Sequence, residues 1–140
     1  MVKYILDTNA LIALSKNNEN FMRRFNNHVL NDDPIITTVL NYYEFARGLS
    51  VISNPAVSKI KQYFRKSIKI GPINYEISEI GSKIYKELKS RPKSKHGPDD
   101  VDILTASYTI GVKGILITHD SDFNEIAALE GFQIENWELK

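Results

Sequence analysis

Four carboxylates in this 140-residue chain stand where a parallel sheet would gather them. Asp7 directly follows the apolar, β-prone run of residues 2–6, and Asp120 lies two residues past a second such run at 114–118. Asp102 falls in the first turn of the helix expected ahead of that second run. Glu44 sits in another helix among Leu40, Tyr43, Phe45 and Ala46, where a carboxylate is costly without a partner. Carboxylates held within a few ångströms repel one another and drive their pKa values apart unless a divalent ion offsets the charge. An all-oxygen donor set suits Mg²⁺ or Mn²⁺. Such an ion can activate a water and hold a phosphate oxygen, the chemistry of metal-assisted phosphodiester hydrolysis.

Each acid also has a purely local explanation. Asp102 stands three residues after Asp99, as in a capping box. Asp122 with Glu125 makes a better box, which reads Asp122 as a cap and leaves Asp120 the freer of that pair. Asp7 could cap a helix, although Thr8 and Asn9 beside it would serve equally well. Glu44 could pair with Arg47 one turn on. Taken singly these explanations win or tie. Four acids converging on one sheet edge favour the metal site.

The elements that must position them alternate. Residues 2–6, 34–38, 68–70, 114–118 and 132–137 read as strands, the last as an edge strand. A helix from Ala10 meets a polar break over 16–20 and resumes with Phe21, Met22, Phe25 and Val29. Further helices follow over 39–49, from Asn54-Pro55 with Val57, Ile60 and Phe64 as its stripe, and from Asn74 with Ile77, Ile80, Ile84 and Leu88. The last two run from about Asp99 to Ile110 and through Leu129. Residues 90–98, with two prolines and Arg91, Lys93 and Lys95, read as a basic loop. This alternation predicts one α/β domain over residues 1–140 with a mostly parallel central sheet flanked by helices, whose sites form at the carboxyl ends of the strands.

Composition narrows the chemistry further. With no cysteine, thiolate metal sites, disulfides and cysteine nucleophiles are excluded. No apolar stretch approaches the ~20 residues of a membrane span or makes a signal peptide, so a cytoplasmic location is expected. The net charge of +1 hides a segregation: residues 59–95 carry eleven Lys or Arg against Glu76, Glu79 and Glu87. From Asp99 onward nine acids face only Lys113 and Lys140. Basic helix faces are commonly just solvated, but beside an acidic pocket they would let a polyanion approach. Tyr42, Tyr43, Tyr63 and Tyr85 fit either the core or a stacking surface.

The same residues carry a family likeness over essentially the whole length. Tyr4-Ile5-Leu6-Asp7-Thr8-Asn9-Ala10-Leu11, Tyr43-Glu44-Phe45-Ala46-Arg47-Gly48-Leu49, Asp102-Ile103-Leu104-Thr105-Ala106-Ser107 and Leu116-Ile117-Thr118-His119-Asp120-Ser121-Asp122-Phe123 occur in that order. In this the chain resembles PIN-domain ribonucleases, in particular the VapC-type toxins of toxin-antitoxin pairs. The resemblance implies a three-layer PIN-like fold and an acidic pocket of Asp7, Glu44, Asp102 and Asp120 around Mg²⁺ or Mn²⁺. Asp7 and Asp102 would be the principal ligands, Glu44 would act directly or through water, and Asp120 would complete the pocket or orient the attacking water. Thr8, Asn9 and Thr118 would support them by hydrogen bonds. It further implies an RNA substrate, a cognate antitoxin and a homodimer.

Asp99 and Asp100 are neighbouring candidates for the place of Asp102, and the division of labour between Asp120 and Asp122 stays open. His119 reads as a surface hydrogen-bonder rather than a general acid, and His28 and His96 have weaker cases. Three alternatives stand beside this reading. One is a PIN-like RNA-processing nuclease that is not a toxin. Another is a non-catalytic binding module on the same fold. The third is a phosphatase with Asp7 as nucleophile, which Asn9 disfavours because that class wants an acid there.

Overall fold

The computed structural model describes residues 1–49, 54–91 and 97–140, the side chains of 54–57 apart. Five strands form one sheet: β1 (Tyr4–Leu6), β2 (Ile35–Thr38), β3 (Ile68–Gly71), β4 (Ile115–Ile117) and β5 (Gln133–Glu135). Their order is β3-β2-β1-β4-β5, and every neighbouring pair is parallel. The helices are α1 (Thr8–Ser15), α2 (Glu19–Leu30), α3 (Val39–Leu49), α4 (Asn54–Lys66), α5 (Tyr75–Lys89), α6 (Asp100–Gly111) and α7 (Phe123–Glu130). The expected α/β architecture is therefore present, with an all-parallel sheet and β5 at its edge.

Strand alternation builds the layers, because successive side chains leave a strand on opposite faces. Leu6, Ile35, Ile68 and Ile117 bury one face under Leu11 and Leu14 of α1, Phe21 and Phe25 of α2, Phe45 of α3 and Ile60 of α4. Ile5, Ile36 and Leu116 point the other way, against Ile77 and Ile84 of α5, Ile103 and Ala106 of α6, and Phe123 and Ile126 of α7. Such doubly covered strands read as near-continuous apolar runs, which is why three residues suffice to recognise β1.

The polar break expected over 16–20 separates two helices, since Asn17 takes a left-handed backbone (φ 55°) and the Asn18 side chain accepts from Phe21 N–H to start α2. Asn74 starts α5 in the same way through Ile77 N–H. Of the loop read over 90–98, residues 92–96 lie outside the described residues, with Lys93, Lys95 and His96, and so does the side chain of Val57. Among the described residues no helix is long and apolar enough to cross a membrane.

The chain builds outward from β1 to β2 and β3, then returns across β1 to add β4 and β5. The order thus reverses between β1 and β4, and clefts in open parallel sheets form outside the strand ends at such a reversal. Close approach at the opposite end of this strand pair constrains one glycine. A Cβ on Gly114 would meet the Lys3 carbonyl oxygen at 2.9 Å and Ile5 Cγ1 at 3.0 Å. The first is backbone held in the β1–β4 ladder. Gly114→Ala should therefore cost about 1–3 kcal/mol, read as a lower urea midpoint with an unchanged m-value.

Candidate functional site

At the reversal point the first carboxylate emerges directly from the sheet. Asp7 precedes α1 in an extended conformation, and its side chain makes no capping bond. Its oxygens are committed elsewhere: Oδ2 accepts from Asn9 Nδ2 at 2.9 Å and Thr118 Oγ1 at 3.0 Å, and Oδ1 accepts from Asn41 Nδ2 at 3.0 Å. Asp7 is only 3% exposed, and that burial pushes its pKa up to about 6. Hydrogen bonds from Thr8 and Thr118 work against the shift, while the charges of Asp120 and Glu44 add to it.

Asp102 fills two roles that the sequence presented as alternatives. Asp102 N–H donates to Asp99 Oδ1 at 2.8 Å, and Asp99 N–H donates to Asp102 Oδ2 at 3.3 Å, so the capping box is formed. The same carboxylate lines the cleft beyond Asp7. Burial pushes its pKa up to about 7, with Asp99 and then Asp7 and Asp120 adding repulsion against the Asp99 backbone hydrogen bond. Asp99 lines the cleft too.

Asp122 corrects the sequence reading. It already has helical backbone angles (φ −59°, ψ −26°) and its side chain caps nothing. Its N–H instead donates to Asp120 Oδ1 at 2.9 Å, which folds the segment so that both acids line the cleft. Carboxylate oxygens of Asp102, Asp120 and Asp122 all lie within 4.8 Å of one another. The Asp-x-x-Glu pattern misleads because the chain enters α7 a residue earlier than a capping box requires.

Glu44 reaches the cleft from α3. Its Oε1 accepts from Thr8 Oγ1 at 2.7 Å, and Arg47 stands 3.8 Å from Oε2 on a largely exposed side chain. A pair so exposed is worth under about 1 kcal/mol, so Thr8 is the firmer partner. The cleft has a volume of about 320 Å³ and is bordered by Asp7, Glu44, Asp99, Asp102, Asp120 and Asp122, with Thr8, Asn9, Ile12 and Gly97 between them. No basic side chain borders it among the described residues. Two neighbouring acids with raised pKa values and an all-oxygen donor set fit a hard divalent cation, which would remove the repulsion that raises them.

His119 pairs through Nδ1 with Glu138 and is about half exposed. His28 lies away from the cleft, stacked on Trp137 at 4.8 Å and bonded to Asp33 at 2.8 Å. The tyrosines divide. Tyr63 packs on Phe25, whereas Tyr43 and Tyr85 are exposed, with Arg47 and Lys89 each 5.4 Å over their rings. Sequence reasoning missed Asn41, wholly buried beneath Asp7, together with Thr38 and Thr105 around it. The available signal was a polar residue at 41 on the inward side of an otherwise apolar turn, one turn before Glu44.

An all-parallel α/β sheet that gathers carboxylates at the reversal of its strand order defines a class of acidic-cleft domains. The sequence model of the PIN domain matches residues 4–129, and the chain belongs to that family. Among solved structures it is similar to VapBC2 from Rickettsia felis bound to a DNA fragment from their promoter, at TM-score 0.78 and 20% identity over 97% of this chain and 99% of that one. It is similar to VapBC-1 from nontypeable Haemophilus influenzae, at 0.74 and 23% over 99% and 100%. It also resembles Mycobacterium tuberculosis VapC20, described as a sarcin-ricin loop cleaving toxin, at 0.60 and 14% over 92% and 95%. These likenesses establish the shared fold. No curated protein matches the chain.

Proposed function

We propose that the chain is a Mg²⁺- or Mn²⁺-dependent endoribonuclease and the toxin of a type II toxin-antitoxin pair. The observation that carries this reading is the convergence of Asp7, Glu44, Asp102 and Asp120 on one cleft of a PIN-family chain. Bound there, the ion would supply a polarised water and positive charge for a phosphate oxygen. Asp7 and Asp102 are assigned to hold it. Glu44 is assigned to act directly or through a bound water, and Asp120 to orient the attacking water, with Asp122 able to share that task. Asn9, Thr118 and Thr8 keep these carboxylates oriented through the hydrogen bonds already described.

RNA is favoured as substrate by the neighbour described as cleaving the sarcin-ricin loop and by the charge distribution. Lys83, Lys86, Lys89 and Arg91 are exposed along the end of α5, and Arg91 precedes Gly97 of the cleft by six residues. A polyanion approaching six carboxylates needs such a surface. The neighbours solved as VapBC complexes support a cognate antitoxin, and we assign a homodimer and a cytoplasmic location on the same family grounds. The phosphatase alternative is disfavoured because Asn9 stands where that class wants an acid and serves instead as a hydrogen-bond donor to Asp7.

The test is incubation of the purified chain, free of any partner, with total RNA and millimolar Mn²⁺. Discrete fragments that disappear with EDTA are expected. Intact RNA under these conditions overturns the reading.

A further inference from the structure

We propose that Asn41 is a positioning residue for the cleft, an amide oriented from β2 and α6 that in turn orients the Asp7 carboxylate. The assignment rests on the metal-site reading above and extends it to a residue that borders no part of the cleft. Asn41 is 0% exposed. Its Oδ1 accepts from Thr38 Oγ1 at 2.6 Å and from Thr105 Oγ1 at 3.0 Å. Its Nδ2 donates to Asp7 Oδ1 and to Thr8 Oγ1, both at 3.0 Å. The amide thus meets four side chains from three separate places along the chain, residues 7–8, 38 and 105.

The direction of the bonds follows from chemistry. An ionised Asp7 oxygen can only accept, so the NH₂ group must face it, and the carbonyl end must face the two threonine hydroxyls. With Asn41 donating to Thr8, the Thr8 hydroxyl hydrogen is free to go to Glu44 Oε1 at 2.7 Å. The Asn41 amide and the Thr8 hydroxyl therefore deliver hydrogens to two carboxylates of the cleft, Asp7 and Glu44. A flipped amide would set its oxygen against Asp7 and leave Thr8 without that donor.

The path also reaches α6. The Thr105 hydroxyl hydrogen lies between Asn41 Oδ1 and the Val101 carbonyl oxygen at 2.7 Å, and Val101 is the residue before Asp102. Asn41 consequently ties the segment carrying Asp7, the helix carrying Glu44 and the helix carrying Asp102 into one set of bonds. The backbone N–H of Asn41 itself donates to Thr38 Oγ1 at 3.1 Å, which fixes the start of α3. Partners at this remove from a metal set the orientation of its ligands, and losing one costs about 10–100-fold in affinity.

Calorimetric titration with Mn²⁺, paired with thermal melts of the metal-free chain, tests the assignment on wild type, Asn41→Leu, Thr105→Val and the double variant. Asn41→Leu keeps the side-chain size and should weaken Mn²⁺ binding about 10–100-fold. Thr105→Val removes only the hydroxyl and breaks no hydrogen bond to a carboxylate, yet it should weaken binding by about tenfold, the lower end of that range. The double variant should bind no more weakly than Asn41→Leu alone, because both act through one amide. A merely structural role predicts lower melting temperatures with an unchanged Kd, and that result overturns the assignment. Should Asn41→Leu fail to fold, Thr105→Val decides alone by the same criterion. Absence of Mn²⁺ binding by the wild-type chain overturns the metal-site reading itself and the assignment with it.

Discussion

Asp7→Asn should reduce RNA cleavage by about 10³-fold or more while the metal-free chain stays within about 2 kcal/mol of wild-type stability at pH 8. The activity loss follows from the role assigned to Asp7: an ion contributing several kcal/mol to the transition state would lose a principal ligand. The small stability change is a balance of two opposing effects. Holding this buried carboxylate ionised in the metal-free fold costs about 3 kcal/mol, given a pKa pushed up to about 6 from an ordinary 3.8. The amide removes that cost. It also sets an N–H against groups that donate to the carboxylate, Asn9 and Thr118 on one side or Asn41 on the other, at about 1–3 kcal/mol.

Melting curves with and without millimolar Mn²⁺ separate the two consequences. Wild type should melt higher with the ion, since a ligand that binds only the native state stabilises it, and Asp7→Asn should show no such rise. An Asp7→Asn chain that still cleaves RNA at the wild-type rate removes Asp7 from the site.

How far the sequence announces this arrangement depends on the range of the interaction that fixes each residue. β1 and β4 are legible because strands buried on both faces need apolar side chains at every position, and the acids at their ends break that run sharply. Asp7 is legible by elimination, because two adequate caps follow it. Asp102 is legible only as an ambiguity, and the structure shows that capping and cleft lining are compatible in one side chain. Asp122 is misread because local spacing cannot reveal that Asp120 Oδ1 captures its N–H. Asn41 shows in the sequence only as a polar residue in an apolar turn, and its role is hidden for a stronger reason. Its partners are Asp7, Thr8, Thr38 and Thr105, up to 64 residues away, and nothing in the neighbourhood of residue 41 specifies them. Those bonds exist only once the sheet order has placed β1, α3 and α6 around one point.

The burial that makes Asp7 hard to ionise also sets the direction of the stability profile with pH. A carboxyl whose pKa is raised by folding holds its proton longer in the native state than in the unfolded chain. Through the interval between the two values the native state binds more protons, so stability falls as pH rises. For Asp7 the interval runs from 3.8 to about 6 and is worth about 3 kcal/mol. Asp102 acts in the same direction with its window extending to about 7, and solvent screening makes its share smaller because it is only half-buried. The metal-free chain should therefore have a higher urea midpoint at pH 5 than at pH 8. Saturating Mn²⁺ should reverse that order, because the ion competes with protons for the same oxygens and its stabilising effect grows as they ionise. Asp7→Asn should make the metal-free slope shallower and leave the Asp102 part, which extends to about pH 7. A metal-free midpoint that rises from pH 5 to pH 8 would mean that burial does not dominate the ionisation of Asp7. The cleft would then hold less electrostatic tension for a cation to relieve.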